Sequence, residues 1–447
     1  GMGSVVEGTV RIGQSVLLIE DLITDSGNGV YTSGIYNVTY GAGKAGDISI
    51  ETSNLDITDG GVISTSALKG STGDGGGITI NASDTVNISG HYYRGMDYSS
   101  GIYSVTYGSG KGGDITIETN ELKLTDDGVI STSARAQSTG QSGNISIKAS
   151  DTITISGHYF NIVDYASGIY SVTHGEGKAG DITIETGNLN ITDGGMISSS
   201  VIGASTGTGG NISINAAESI TISGQYNTES YTYRGGIYSV TEGLGDGGKI
   251  TLVSKNFYIT DGGTVSAIST GRGDAGSVEI NTSDSFYLNE GLVETSSTGT
   301  SGGNISITGL NIQLLNGSAI LSSVKSGKDK GGNVNILATT LCVLDSSEIS
   351  ADADLGYGGD ITIGAHAVFL WDSSALHASS TITGHEGRIN INSPLSDITG
   401  SLIQLNRSYL QAEKMLPESC GAARTQRGSF VVKGSEYLSP QHSNLLF

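Results

Sequence analysis

The apolar positions of this chain recur in a short phrase: a glycine, one intervening residue that is usually polar, and an apolar–polar–apolar triplet. The phrase occurs twelve times, at spacings of 27 to 38 residues. Its glycines are Gly46, Gly76, Gly113, Gly143, Gly180, Gly210, Gly248, Gly276, Gly303, Gly332, Gly359 and Gly387. A period in this range is typical of a solenoid, in which each repeat must stack on its neighbours to bury its apolar face.

Within one repeat, apolar and polar residues alternate in three pieces, Ile48–Ile50, Leu55–Ile57 and Val62–Ser64. Alternation with a period of two predicts half-buried strands, and glycine- and aspartate-containing turns separate the pieces. Three short strands and three corners make one coil. The sequence therefore predicts an all-β parallel β-helix of about 13 coils, the first running from about Thr9 to Thr39.

Composition supports an all-β solenoid, with 70 glycines and 3 prolines among 447 residues. A helical solenoid is excluded because no period of 3.6 residues is present. Collagen is excluded because glycine has no three-residue period, and disorder is excluded by the regular apolar strands.

The repeat divides the chain into three predicted segments. Residues 1–8 are the start of a truncated segment or partly a cloning remnant, and residues 396–447 form a C-terminal cap and tail. The β-helix occupies residues 9–395, with alternating short and long coils over 9–247 and regular coils over 248–395. Because the chain starts in mid-pattern, we expect it to be part of a longer protein.

The net charge of −22 argues against nucleic acid as a partner and disfavours anionic membrane surfaces. No apolar stretch approaches 18 residues, so the sequence predicts no transmembrane segment. The two cysteines, Cys342 and Cys420, do not form a disulfide framework, although one bridge between them is possible.

The long coils carry an extra segment that is rich in tyrosine and ends in a phrase recurring every 67 or 68 residues. Because the segments recur in register, their aromatic side chains should form a lateral stripe, with neighbouring copies about 10 Å apart. Such rings suit shallow binding of sugars or protein surfaces, or they pack together to cover a bulging loop. The candidate ligand-binding residues are Tyr36, Tyr40, His91, Tyr92, Tyr98, Tyr103, Tyr107, His158, Tyr159, Tyr165, Tyr170, Tyr226 and Tyr238.

No pattern indicates catalysis, a cofactor or a metal. A polysaccharide-cleaving site needs carboxylates clustered on one face, whereas the acidic positions here simply recur. His91 and His158 recur too, and the third copy has Gln225. The corner residues Asp47 and Asn144 suit hydrogen bonds to backbone amides, and calcium would need several converging oxygens.

One outer face becomes apolar toward the C-terminus, and we expect the tail to cover it. Outward positions that hold Asp56 and Thr58 early in the chain hold Phe369 and Trp371 in a late coil. A helix over roughly 408–416 and a strand over 429–433 would form the cap. Cys342 lies on this face, so a Cys342–Cys420 bridge is plausible if the Cα separation allows it.

The C-terminal part resembles the end of filamentous-haemagglutinin-like exoproteins of two-partner secretion. The resemblance lies in Leu410–Arg424, with its Leu-Pro-x-x-Cys phrase, and in Ser429–Gly434; the preceding coils also resemble that family. The chain departs from the family after Gly434, where Ser435–Pro440 replaces an Arg-Gly-Gly-Leu-Pro run, and it contains no Asn-Pro-Asn secretion domain.

That resemblance implies a right-handed β-helix that is exported through an outer-membrane two-partner secretion transporter. It also implies a location outside the cell or on the outer surface of a Gram-negative bacterium. We expect a non-catalytic adhesin that binds a host glycan or protein through the tyrosine-rich face. The alternatives are a passive stalk that presents another domain and a polysaccharide-degrading β-helix enzyme.

Overall fold

The computed structural model describes residues 9–12, 33–93, 97–135, 138–157, 166–203, 205–227, 232–325, 330–371 and 373–397. Parallel sheets in this part of the chain form a β-helix of about 11 turns, and the described residues contain no helix. The predicted fold class is therefore confirmed. About 13 coils were predicted, and most of the first predicted coil lies outside the described residues.

Long strands of 10 to 12 residues form most of a 14-stranded sheet, which we call the long-strand sheet. Its strands are Thr9–Ile12, Ile48–Thr58, Ile78–Ser89, Ile115–Thr125, Ile145–Ser156, Ile182–Thr192, Ile212–Ser223, Ile250–Thr260, Val278–Asn289, Ile305–Leu315, Val334–Val343, Ile361–Leu370, Ile389–Asn392 and Leu395–Asp397. The last two strands both pair with Ile361–Leu370.

Strands of three residues form a 12-stranded parallel sheet, the short-strand sheet. Its strands are Gly34–Tyr36, Val62–Ser64, Gly101–Tyr103, Val129–Ser131, Gly168–Tyr170, Met196–Ser198, Gly236–Tyr238, Thr264–Ser266, Leu292–Glu294, Ala319–Leu321, Glu348–Ser350 and Ala375–His377. A third column consists of single parallel bridges, which run from Thr39 through Ala67 and Thr106 to Ser380.

The prediction of three separate strands per coil is wrong in one respect. The first two predicted strands join into one, as in Ile48–Thr58, where buried and more exposed residues alternate along the strand. The polar residues between the two pieces stay extended, and only the register shifts, for example between Ala149 and Thr152. A bulge at this point bends the strand without ending its hydrogen-bonded ladder.

The interior consists of stacked aliphatic columns that follow from the Ile-x-Ile pattern. Ile115 and Ile117 pair in register with Ile145 and Ile147, and all four are at most 1% exposed. In a parallel stack each residue meets its equivalent in the next turn, so one pattern, repeated, produces a continuous core. Burying each such side chain contributes roughly 1.5 to 3 kcal/mol.

The repeated glycine is required by the close stacking of successive turns. A Cβ at Gly76 would overlap the carbonyl oxygen of Gly46, and one at Gly143 would overlap that of Gly113. The same clash with the preceding turn recurs at Gly180, Gly210, Gly248, Gly276, Gly303, Gly332, Gly359 and Gly387. The glycine therefore lets the backbone of each turn approach that of the previous one.

The polar residue after that glycine forms a ladder, as the backbone-bonding interpretation predicts. The Asn144 backbone N–H donates to Asp114 Oδ1 at 2.7 Å, and the Asp181 N–H donates to Asn144 Oδ1 at 2.9 Å. The Asn211 N–H continues the ladder to Asp181 Oδ1 at 2.7 Å. These side chains are used in joining turns, which accounts for their recurrence.

Two of the long coils contain short antiparallel hairpins, which the sequence did not predict. His91–Tyr93 pairs with Asp97–Ser99, and Gln225–Asn227 pairs with Thr232–Arg234. The extra segment therefore turns back on itself and returns to the short-strand sheet.

The predicted apolar outer face is present in the late coils. Gln313, Cys342 and Phe369 lie in register on the long-strand sheet. Phe369 is 43% exposed and Trp371 is 56% exposed. The predicted cap helix and strand lie outside the described residues.

The chain divides into two compact units, Gly1–Leu402 and Ile403–Phe447, and the second lies wholly outside the described residues. The Cys342–Cys420 bridge stays a prediction because Cys420 belongs to that second unit.

Candidate functional site

Tyrosines recur at every second turn of the short-strand sheet, in what we call the tyrosine column: Tyr36, Tyr103, Tyr170 and Tyr238. Tyr103 pairs with Ser131, which pairs in turn with Tyr170. Serine thus separates successive tyrosines, and the predicted register of the tyrosine column is confirmed.

Three members of the tyrosine column are half-buried and donate hydrogen bonds to the carbonyl four residues earlier. The hydroxyl of Tyr170 donates to the Ala166 oxygen at 2.8 Å, and that of Tyr238 donates to the Arg234 oxygen at 2.7 Å. Tyr103 donates to the Ser99 oxygen at 3.2 Å. Each ring therefore fastens the segment that leads into its strand.

The pKa of Tyr238 is raised far above its ordinary value, chiefly by burial of its hydroxyl. The hydroxyl therefore stays protonated at any physiological pH and keeps its role as a donor. The hydrogen bonds from Tyr103, Tyr170 and Tyr238 to the backbone favour packing over recognition for these three rings.

Tyr36, the first member of the tyrosine column, is 40% exposed, and two further exposed tyrosines lie at the neighbouring corner, directly after the column of single bridges. We call the residues that follow the first seven bridge positions the corner column: Tyr40, Leu68, Tyr107, Arg135, His174, Ile202 and Glu242. Tyr40 is 45% exposed and Tyr107 is 40% exposed. Backbone hydrogen bonds align the corner column, since the N–H groups of Tyr107 and Arg135 donate to Ala67 and Thr106 in preceding turns.

An open groove of about 790 Å³ lies along the corner column. It brings together side chains from successive turns, including Lys69, Ser71, Tyr107, Arg135, Thr139 and His174. We call it the corner groove. Its Tyr107 was among the candidate residues from the sequence, whereas Lys69, Arg135 and His174 were not.

A sequence signal for His174 does exist. Tyr40, Tyr107 and His174 each follow the same Val-Thr dipeptide at intervals of 67 residues. His174 therefore occupies the repeat position that holds an exposed tyrosine in two earlier coils. It was not among the predicted candidates because that prediction was based on the tyrosine rings.

The pKa of His174 is lowered, first by burial and second by the positive charge of Arg135. The nearby Ala134 backbone carbonyl and the Glu242 carboxylate oppose this shift. His174 is therefore neutral at pH 7, and its uncharged ring can donate at one nitrogen and accept at the other.

Several other candidate residues lie in or beside the two hairpins. The Nδ1 atom of His91 lies 3.4 Å from an Asp127 carboxylate oxygen, and Asp127 is buried. Tyr92 and Tyr98 are opposite one another in the first hairpin, and Tyr226 lies in the second. His158, Tyr159 and Tyr165 lie outside the described residues.

Beyond the last long coil, the register of the tyrosine column continues through Ser266 to Glu294. Burial raises the pKa of Glu294, while the Ser266 hydroxyl, 3.1 Å from its Oε1, opposes the shift. Because its pKa is raised in the folded state, folding favours the protonated form of Glu294. The contribution of Glu294 to stability is therefore fully present below its ordinary pKa of 4.5. That contribution is lost as pH rises through the folded-state value.

We therefore expect Glu294→Gln to raise the melting temperature at pH 7.5 and to have little effect near pH 4. Glu279→Gln is the matched control of opposite sign, because a hydrogen bond from Lys249 lowers the pKa of Glu279. It should lower the melting temperature slightly at pH 7.5. Thermal unfolding of both variants at the two pH values checks the prediction, and equal shifts for both at pH 7.5 would contradict it.

Among the described residues, no group of three or more histidine, cysteine, aspartate or glutamate side chains could hold a metal ion. In the same part of the chain, no helix is long and apolar enough to cross a bilayer.

The chain matches no protein-family model, no curated protein and no solved structure.

Proposed function

We propose that this chain is a non-catalytic, adhesin-like β-helix that binds a host glycan or protein through the exposed aromatic corner of its long coils. The observation that carries the proposal is the exposure of Tyr40 and Tyr107, 67 residues apart, at equivalent corners of a repetitive surface. Tyrosine offers a rigid apolar ring with a polar tip, which suits sugar rings and protein surfaces.

The regular backbone supports binding without catalysis. The acidic residues of the glycine corners are committed to backbone hydrogen bonds, as Asp114 and Asp181 are. A binding surface needs only side chains presented at a fixed spacing, and a stack of turns supplies that spacing.

We further propose, from the resemblance to two-partner secretion exoproteins, that an outer-membrane transporter exports the protein to the cell surface or the medium. A parallel β-helix fits such a route because each added turn stacks on the previous one and needs few distant contacts.

A passive stalk is the second candidate, and a specific observation favours it. Tyr103, Tyr170 and Tyr238 are half-buried, and their hydroxyls bond to the backbone, as expected of packing residues. A stalk would have no ligand of its own along this face.

The test is binding of the purified chain to a glycan array and to cultured host cells. We expect the double variant Tyr40→Ser/Tyr107→Ser to bind at least tenfold more weakly, because buried aromatic anchors dominate such interfaces. The matched control is Tyr258→Ser/Tyr287→Ser, which removes two tyrosines from the outer face of the long-strand sheet, where their rings are 6.3 Å apart. Circular dichroism should show that both variants retain the β-helix.

Unchanged binding by the corner double variant would overturn the proposed face. Absence of any binding by the unaltered chain would favour the stalk. Release of shortened polysaccharide in a parallel assay would instead indicate an enzyme.

A further inference from the structure

The corner groove is cationic in a strongly acidic protein. Lys69 and Arg135 contribute positive charge to its lining, and none of the described residues that line it is an aspartate or glutamate. The whole chain carries a net charge of −22. A local excess of positive charge on such a background favours an anionic ligand.

Three polar atoms of the corner groove have no hydrogen-bond partner within the described part of the chain: Ser71 Oγ, Arg135 Nε and His174 Nδ1. All three atoms are shielded from solvent. Leaving a buried donor or acceptor without a partner destabilises the folded state, because the group has lost its water and gained nothing in return. Native proteins keep few such groups, and three of the nine such atoms in the described residues belong to this one groove.

Ser71 shows that this arrangement is specific to one place in the repeat. Its equivalents two and four turns later, Ser138 and Ser205, donate to the carbonyl oxygens of Gly108 and Gly175. Ser71 is 2% exposed and makes no such bond. The serine hydroxyl thus finds a carbonyl partner in later turns, whereas the buried Ser71 hydroxyl has none within the described part of the chain.

Tyr107 completes the corner groove with an exposed aromatic face. It lies one turn before Arg135 and two turns before His174 in the corner column. A ring beside a cationic group can stack against a sugar while the cation pairs with an acidic substituent.

We propose that the corner groove binds an acidic sugar residue, whose ring lies on Tyr107 and whose carboxylate or sulfate pairs with Arg135. On binding, the Ser71 hydroxyl and the His174 ring turn toward the corner groove and hydrogen-bond the same residue, and Lys69 adds long-range attraction. The inference rests on the proposed adhesin function and names the ligand class of that face. Arginine suits the anion because its planar guanidinium can donate two parallel hydrogen bonds to a carboxylate or sulfate.

The experiment is titration calorimetry of the full chain with three oligosaccharides of equal length at about 150 mM salt, where surface charge is screened within about 8 Å. The probes are an oligogalacturonate, its methyl ester, and a sulfated neutral oligosaccharide. We expect the two acidic probes to bind and the methyl ester to bind at least tenfold more weakly. The acidic probe that binds with the higher affinity shows whether carboxylate or sulfate is the preferred group.

Arg135→Gln should weaken binding of the acidic probe about tenfold or more and leave the methyl ester unaffected. Arg135→Lys should recover only part of the affinity, because lysine cannot donate in the same planar geometry. The matched control is Arg272→Gln, which removes the same charge from an exposed arginine outside the corner groove. It should leave binding unchanged.

Equal losses of affinity for the acidic probe in Arg135→Gln and Arg272→Gln would overturn the inference. They would show that the probe responds to the overall charge of the protein and not to the corner groove. Equal binding of the acid and its methyl ester would also overturn it. In that second case, weaker binding by the Tyr40→Ser/Tyr107→Ser variant would still support the proposed binding face. Failure of the ligand class can therefore be distinguished from failure of the proposed function. No binding of either acidic probe, with neutral glycans bound on the array, would likewise overturn the ligand class alone.

Discussion

Replacing Gly76 by alanine is expected to destabilise the β-helix by about 3 kcal/mol or more, whereas the same change at the adjacent Gly77 should be nearly neutral. A Cβ at Gly76 would overlap the Gly46 carbonyl oxygen and lie 2.7 Å from its carbon. At Gly77 the nearest heavy atoms would be an Asp47 carboxylate oxygen at 3.5 Å and the Asp114 carbonyl oxygen at 3.6 Å. Those are ordinary contacts.

The clash at Gly76 involves backbone on both sides, so no side chain can turn away to relieve it. Two turns would have to separate, which would weaken the hydrogen bond from the Gly76 N–H to the Thr65 oxygen, now 3.0 Å long. It would also disturb the bond from the Thr65 hydroxyl to the Gly76 oxygen, now 2.6 Å.

Thermal and urea unfolding of Gly76→Ala and Gly77→Ala, followed by circular dichroism, measures the difference. Limited proteolysis adds a local readout, because a solenoid can open near the altered turn before it unfolds as a whole. Equal stability of the two variants would show that the turns can separate at little cost, and would contradict the packing argument.

Replacing Phe286 by alanine should cost about 3 to 5 kcal/mol. Phe257 and Phe286 are the largest fully buried side chains of the described residues. Their rings pair in register with centroids 5.6 Å apart and planes at 65°, an edge-to-face arrangement. Removal of one ring leaves a cavity in the core and also removes the aromatic contact of its partner.

The neighbouring Tyr287 provides the matched control, since it lies on the outer face of the same strand. Tyr287→Ala should cost much less, because its ring is only partly removed from water. Phe286→Leu should cost an intermediate amount, as most of the apolar volume is kept. Melting temperatures of the three variants test the order, and a Tyr287→Ala loss equal to that of Phe286→Ala would contradict it.

The apolar outer face was predictable because outward positions can be counted from the glycine. Phe369 and Trp371 were placed outside by that count, and both are exposed. The merging of two short strands into one was not predictable from the same pattern. Polar residues that interrupt the apolar pattern predict a turn. A register shift such as that between Ala149 and Thr152 lets the strand continue through these polar residues.

The tyrosines mark the limit of sequence reasoning about the candidate site. Their periodicity placed Tyr103, Tyr170 and Tyr238 in one column, and the structure agrees. The sequence could not separate these half-buried rings from exposed Tyr40 and Tyr107, because all five recur in the same long coils. Exposure depends on what packs above each ring, and that is set by neighbouring turns.

The amino-acid sequence by itself determined the parallel stack, its period and its core. The glycine of each repeat admits the backbone of the next turn, and the alternating isoleucines place one apolar face inside. Both are local requirements that recur in register, so they can be recognised from the sequence alone.

Only the tertiary structure decided which side chains meet in the corner groove. The corner groove joins Lys69, Tyr107, Arg135 and His174, which lie far apart in sequence and belong to different turns. Its character depends on which polar atoms neighbouring turns leave without partners. That is a property of three-dimensional packing. The sequence shows a serine at position 71 but does not show whether its hydroxyl has a carbonyl partner in a neighbouring turn.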